Sequence, residues 1–259
     1  MRLHHTLAGS GPRVLFFNGS GATLEGSGPI IDGLRGFATV LAHDQRGLGK
    51  TGIIDGPCTM AQYARDAADL LDHVGWDTCI VVGISFGGMV AQEFAVTFPE
   101  RVAKLVLLCT SAGGEAGASY PLHDNIGLDP TTRATKMRTI FDTRFTDEFL
   151  VSDKFAAAMA KMLADRELVP KSDDVLRGEA MQLEARRHHD AAARLANITC
   201  PTLVMAGRYD GIAPVVNSEA IAARIPGAEL RTYEGGHLFI AQDPGAMADI
   251  RTFALSNQM

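Results

Sequence analysis

The stretch Gly83-Ile84-Ser85-Phe86-Gly87-Gly88 constrains this chain more than any other. An apolar run, Cys79 to Val82, enters it, and a segment of helical apolar spacing, Met89 to Phe98, leaves it. Between them lies G-x-S-x-G, the pattern of a sharp strand–turn–helix that presents a serine. A strand that turns into a helix within one residue holds that residue in a strained conformation. Side chains two positions away on either side would collide, so both positions are glycine. The serine hydroxyl then stands above the sheet at the positive end of a helix. The competing reading is a glycine-rich turn with no chemistry.

The segments around this turn alternate. Residues 1–8 are expected to form a first strand, turned by Gly9-Ser10-Gly11-Pro12. Val14 to Phe17 reads as a buried strand running into Asn18-Gly19-Ser20-Gly21, where backbone amides can face outward. A weak helix is expected over Ser27 to Leu34, then a strand over Phe37 to Ala42. Thr59 can cap a helix through Val74, because Tyr63, Ala67, Leu70, Leu71 and Val74 share one face. Pro99 stops the helix after the turn, and Lys104 to Thr110 is the next strand. Strands at Thr202 to Ala206 and Glu229 to Tyr233 follow later, with helices near Asn217 to Arg224 and from Leu238 to Leu255. Strand–helix alternation implies an α/β fold, with a mostly parallel sheet covered on both faces.

From Ser111 to about Leu195 the alternation stops. No convincing strand occurs there, and Ser152 and Ser172 read as caps of helical segments. Phe155, Met159, Met162 and Leu163 read as one stripe, more in keeping with internal packing than with a substrate wall. The expected division is a core of 1–111 and 196–259 and a helical cap of 112–195.

Composition narrows the partners. With 46% hydrophobic and 21% charged residues, 259 residues suffice for a sizeable buried core. A net charge of −6 gives no reason to expect nucleic acid or an anionic membrane. The first residues lack the apolar core of a signal peptide, and no run is long enough to span a bilayer. Cys58, Cys79, Cys109 and Cys200 show no C-x-x-C spacing and read as reduced thiols. Together these predict a cytoplasmic protein.

A serine hydroxyl needs a base, and the base needs an orienting carboxylate. Asp210 stands four residues past the strand Thr202 to Ala206, and His237 four past the strand ending at Tyr233. Both hang off the carboxyl ends of parallel strands, where open α/β sheets bind ligands. With Asn18-Gly19-Ser20-Gly21, Asp44-Gln45-Arg46-Gly47-Leu48-Gly49 and Gly207-Arg208-Tyr209-Asp210, these motifs resemble the α/β-hydrolase superfamily over most of the chain. The resemblance implies a catalytic triad of Ser85, Asp210 and His237. It also implies an oxyanion hole from the backbone N–H groups of Ser20 and Phe86, and a lid at the helical insertion. Relatives usually carry His-Gly where this chain has Asn18-Gly19; similar asparagine loops occur among enol-lactonase-like members.

The function this implies is hydrolysis of small carboxylic esters through an acyl-enzyme, without metal or organic cofactor. The alternatives are a lactonase or carbon–carbon bond hydrolase on the same triad, or a catalytically silent receptor for small molecules. The small-molecule substrate would be an ester or lactone, and the oligomeric state is open. Among competing residues, Asp44 reads as part of a structural turn with His43, and Glu115 as a rival for the triad acid. His188 and His189 point about 100° apart on a helix, which disfavours a metal pair. Asp190 reads as a cap and Asp243 as a surface residue. His4, His5, His73 and His123 show no partner pattern, and Arg208 and Tyr209 either line the site or are solvated.

Overall fold

The computed structural model describes residues 3–53 and 58–256, so residues 1 and 2 of the expected first strand lie outside the described residues. The strands are β1 (His5–Gly9), β2 (Arg13–Phe17), β3 (Thr39–His43), β4 (Cys79–Ile84), β5 (Val102–Leu108), β6 (Thr202–Gly207) and β7 (Glu229–Tyr233). They form one sheet in the order β1-β3-β2-β4-β5-β6-β7. All neighbours are parallel except β1, which pairs antiparallel with β3 at the edge. The helices are α1 (Gly28–Arg35), α2 (Met60–His73), α3 (Phe86–Thr97), α4 (Pro130–Phe141), α5 (Asp147–Ser152), α6 (Lys154–Leu168), α7 (Asp173–Arg187), α8 (Val215–Ala222), α9 (Phe239–Gln242) and α10 (Pro244–Leu255).

The central strands are largely apolar because both faces are covered, with Lys104 near the start of β5 an exception. Val81, Leu105 and Leu107 point into one core with Phe86, Phe94 and Leu71. Ile80, Val82, Val106 and Leu108 point into the other, with Leu34, Phe239 and Ile250. This is the period-two alternation of a strand, with an apolar partner on each side.

Several boundaries move from where pattern alone puts them. The strand expected from Phe37 begins at Thr39, because the N–H groups of Phe37 and Ala38 still bond back to Leu34. β5 starts at Val102, paired with Cys79, and ends before Cys109, whose φ of 42° breaks the extended chain. The expected terminal helix is two helices. Asp243 is extended at φ −119°, and its carboxylate accepts from Gly245 N–H to start α10 anew. Asp243 is thus a cap rather than a plain surface residue, and it also accepts from Glu234 N–H.

Between β5 and β6 the chain forms α4 to α7, with a small core of its own around Phe145, Ala156, Met159, Ala160 and Leu163. The buried stripe of α6 differs from the expected one. Phe155 and Met162 are exposed, because the true i, i+3, i+4, i+7 face is Ala156, Met159, Ala160 and Leu163. The cap of α6 is Asp153, whose carboxylate accepts from the N–H groups of Phe155 and Ala156; Ser152 ends the preceding helix. Ser172 and Thr59 cap α7 and α2 as expected. Among the described residues, no helix is long and apolar enough to cross a membrane.

Candidate active site

Ser85 sits where β4 turns into α3, at φ 55° and ψ −116°. The strain is held from several sides. Ser85 N–H donates to Leu108 O at 2.9 Å, and Thr110 Oγ1 donates to Ser85 O at 2.8 Å. A side chain at Gly83 would meet Ala91 Cβ at 2.8 Å, and one at Gly87 would strike the carbonyls of Phe17 and Asn18. The elbow is thus wedged between the ends of β2 and β5; Gly87 allows the approach to β2, and Gly83 allows α3 to fold back close against β4.

Three later segments converge on this serine. His237 Nε2 lies 2.9 Å from Ser85 Oγ, and His237 Nδ1 lies 2.8 Å from Asp210 Oδ2. A carboxylate only accepts, so Nδ1 carries the proton and Nε2 is left to accept from the serine hydroxyl. Asp210 is fixed in turn: its Oδ1 accepts from the N–H groups of Ile212 at 2.7 Å and Ala213 at 2.9 Å. All three residues are more than nine-tenths buried.

The segment at the end of α4 braces both loops, a feature with no signal in the sequence. His237 N–H donates to Phe141 O at 2.6 Å, Gly211 N–H to Ile140 O, and Thr143 N–H to Tyr209 O. The Phe141 ring meets the imidazole edge-on at 5.4 Å. Asp142 beside it is buried and accepts from Arg144 and from Gln242 Nε2 at 2.8 Å. Burial pulls its pKa up, but the hydrogen bonds from Arg144 and Gln242 outweigh that and hold it below the usual carboxylate range.

The loop after β2 faces the elbow. Gly19 is close enough that an added Cβ would sit 3.7 Å from Ser85 Cβ. Asn18 is fully buried; its Nδ2 donates to His43 O at 3.3 Å, and its own carbonyl accepts from Gln45 Nε2 at 2.7 Å. Among the described residues, neither Ser20 N–H nor Phe86 N–H donates a hydrogen bond to the protein.

The other candidates are placed elsewhere. Asp44 organises its turn by accepting from the N–H groups of Leu24 and Lys50. It also meets His4 Nδ1 at 2.9 Å, a partner for His4 that the sequence pattern did not reveal. His43 is buried against Phe17, and burial lowers its pKa to about 4. Glu115 is exposed on a short turn and makes no bond to His237. His188 lies at the surface on Glu184, while His189 is buried. Asp190 caps the following turn by accepting from Ala192 N–H. Arg208 pairs with Glu234, and Tyr209 stacks under the Arg144 guanidinium.

One neighbour of the trio had no sequence signal. Cys109 Sγ lies within 4.8 Å of the donor atoms of Asp210 and His237, the one such cluster of metal-ligating types among the described residues. Burial, then the nearby Asp210 charge, pushes the thiol well above its usual pKa, so it is a neutral group. The remaining cysteines are free thiols as well.

These features define an α/β hydrolase, and the sequence comparison agrees: a family model described as "alpha/beta hydrolase fold" matches residues 12–244, and the chain belongs to that family. It is 32% identical over 239 residues to a poly(3-hydroxyalkanoate) depolymerase of Ectopseudomonas oleovorans, covering 92% of this chain and 82% of the relative. It is 27% identical to 3-oxoadipate enol-lactonase 2 of Acinetobacter baylyi, covering 91% and 85%. Among solved structures, a hydrolase from Pseudomonas aeruginosa PA01 superposes with a TM-score of 0.78 at 29% identity, covering 98% of this chain and 94% of that one.

Proposed function

We propose that this hydrolase cleaves carboxylic esters of small molecules through an acyl-enzyme on Ser85. The observation that carries this reading is the continuous Ser85–His237–Asp210 hydrogen-bond relay, beside Ser20 and Phe86 N–H groups that donate to no group among the described residues. His237 Nε2 takes the Ser85 proton as Oγ attacks the acyl carbon. The N–H groups of Ser20 and Phe86 receive the oxyanion, a role worth about 3 kcal/mol of barrier per donor in serine hydrolases. Asp210 stabilises the imidazolium, which then protonates the leaving alcohol. Water, deprotonated by His237, attacks the acyl group, and Ser85 recovers its proton as the acid departs.

The depolymerase relative supports ester chemistry by its name. The enol-lactonase relative favours a second reading within the same mechanism, since a lactone is a cyclic ester whose leaving alcohol stays tethered. Carbon–carbon bond hydrolysis on this triad is a third outcome that one experiment separates from both. Residues 112–195 act as the cap that selects the substrate, and segment 140–143 ties that cap to the histidine and aspartate loops. The test is a turnover panel of p-nitrophenyl esters of graded acyl length, lactones and a vinylogous 1,5-diketone. Short esters should turn over fastest; turnover of the diketone alone would overturn the ester reading.

A further inference from the structure

We propose that Arg186 binds a carboxylate carried by the substrate, at a subsite between the loops that follow β2 and β5. This rests on the reading of Ser85 as nucleophile and adds the chemical class of what it attacks.

The argument begins with an unbalanced charge. A guanidinium stays protonated, so burying one is costly unless an anion or a full set of acceptors faces it. The other arginine buried among the described residues obeys this rule: Arg46 holds Asp66 with two bonds of 2.6 Å. The partly buried Arg144 and Arg194 hold Asp142 and Glu93. Arg186 is 7% exposed and, among the described residues, has no carboxylate partner. Burial alone pushes its pKa down to about 10, with no opposing charge.

Its hydrogen bonds leave donors over. Nη2 donates to Ser119 Oγ and to Tyr120 O, both at 2.7 Å. Among the described residues, Nε is buried with no acceptor and Nη1 makes no bond. Holding two neutral acceptors takes one nitrogen and no positive charge, so loop anchoring does not explain an arginine here.

The topology places this group at the sheet edge that carries the serine. α7 crosses the carboxyl edge of the sheet, with Gly178 packed on Gly47 after β3. One turn along, Gln182 Oε1 accepts from Gly21 N–H, in the loop after β2, at 2.9 Å. One further turn along, Arg186 grips Ser119 and Tyr120, past the end of β5. In the sheet β4 lies between β2 and β5, and Ser85 follows β4. Gln182 and Arg186 therefore contact the loops that follow the two neighbours of β4, the strand that leads into Ser85. Gln182 Nε2 and Ser20 Oγ are likewise buried without a partner. Unsatisfied hydrogen-bond donors beside an unpaired cation match an oxygen-rich anion and not an alkyl chain.

The experiment compares acids with their own methyl esters, the charge lying on the acyl side (4-nitrophenyl hemisuccinate) or the alcohol side (4-acetoxybenzoate). In the wild-type enzyme, one acid of the two pairs should exceed its methyl ester in kcat/KM by roughly tenfold or more, the size of a charge-assisted bond. Arg186→Met should bring that ratio to about one, and Arg186→Lys should retain a preference. Faster turnover of both methyl esters than of both acids by the wild type, or a ratio unchanged in Arg186→Met, would overturn the subsite. The wild-type ratio decides even if the methionine variant fails to fold. Absence of turnover of all four compounds would instead count against the ester reading itself.

Discussion

At the scale of single residues, the site is a matter of who holds whom. Asp210 serves His237 because Nδ1 is already committed to it at 2.8 Å, whereas Glu115 is exposed on its turn. Asp210→Asn should therefore lower kcat by about 10³- to 10⁴-fold, since the amide would favour the wrong imidazole tautomer. Glu115→Gln should leave ester turnover near the wild-type rate; a loss confined to Glu115→Gln in steady-state assays would reverse the assignment. Gly87 faces the carbonyls of Phe17 and Asn18 so closely that a methyl group has nowhere to go. Gly87→Ala should cost about 1–3 kcal/mol in urea denaturation, the usual range for overpacking, with loss of activity as β2 and the elbow separate. These residues were readable in advance because short motifs fix them: the elbow glycines, and an acid and a histidine just past strand ends. The placements of Arg186, Cys109 and Phe141 were not readable, because they come from segments far apart in sequence meeting above the sheet.

At the scale of elements, periodicity located the strands and helices but not their ends. Backbone bonds such as Ala38 N–H to Leu34 O carry a helix past its last patterned residue, and hydropathy does not register them. The α6 stripe shows a different limit. Phe155 and Met162 drew attention by size, yet the small Ala156 and Ala160 are what allow close packing around Phe145. One contact joins distant elements in a way composition never suggests: Lys104, on β5, caps the last helix. Its Nζ donates to Phe253 O at 2.7 Å and Ser256 O at 2.6 Å, satisfying carbonyls that have no partner inside α10. Lys104→Met should lower stability by about 2 kcal/mol, the worth of hydrogen bonds to a charged group, read as a shift in the urea midpoint. An unchanged midpoint would mean that water satisfies that helix end equally well.

At the scale of the whole molecule, burial sets a pH limit on stability. His43 and His189 are buried and neutral, each with its pKa lowered to about 4 chiefly by burial, against 6.5 in an open chain. Below pH 6.5 the unfolded chain binds protons that the folded protein refuses, so stability is complete above 6.5 and is lost as pH falls toward 4. Each histidine should cost about 2 kcal/mol by pH 5. Urea midpoints at pH 7 and pH 5 check this, and His189→Gln should remove about half of the histidine-dependent difference; equal midpoints at the two pH values would contradict it. The arrangement of the whole was legible to the extent that alternation dictates a parallel sheet and strand ends dictate where chemistry sits. How α4 and α7 drape over those ends was not, since helical patterns define a face and not its partner. The central claim, that Ser85 is the nucleophile, is tested most directly by intact-protein mass spectrometry after treatment with a fluorophosphonate. The account predicts one adduct on the folded protein, located at Ser85 and absent from Ser85→Ala; an unlabelled native protein, or equal labelling of the alanine variant, would contradict it.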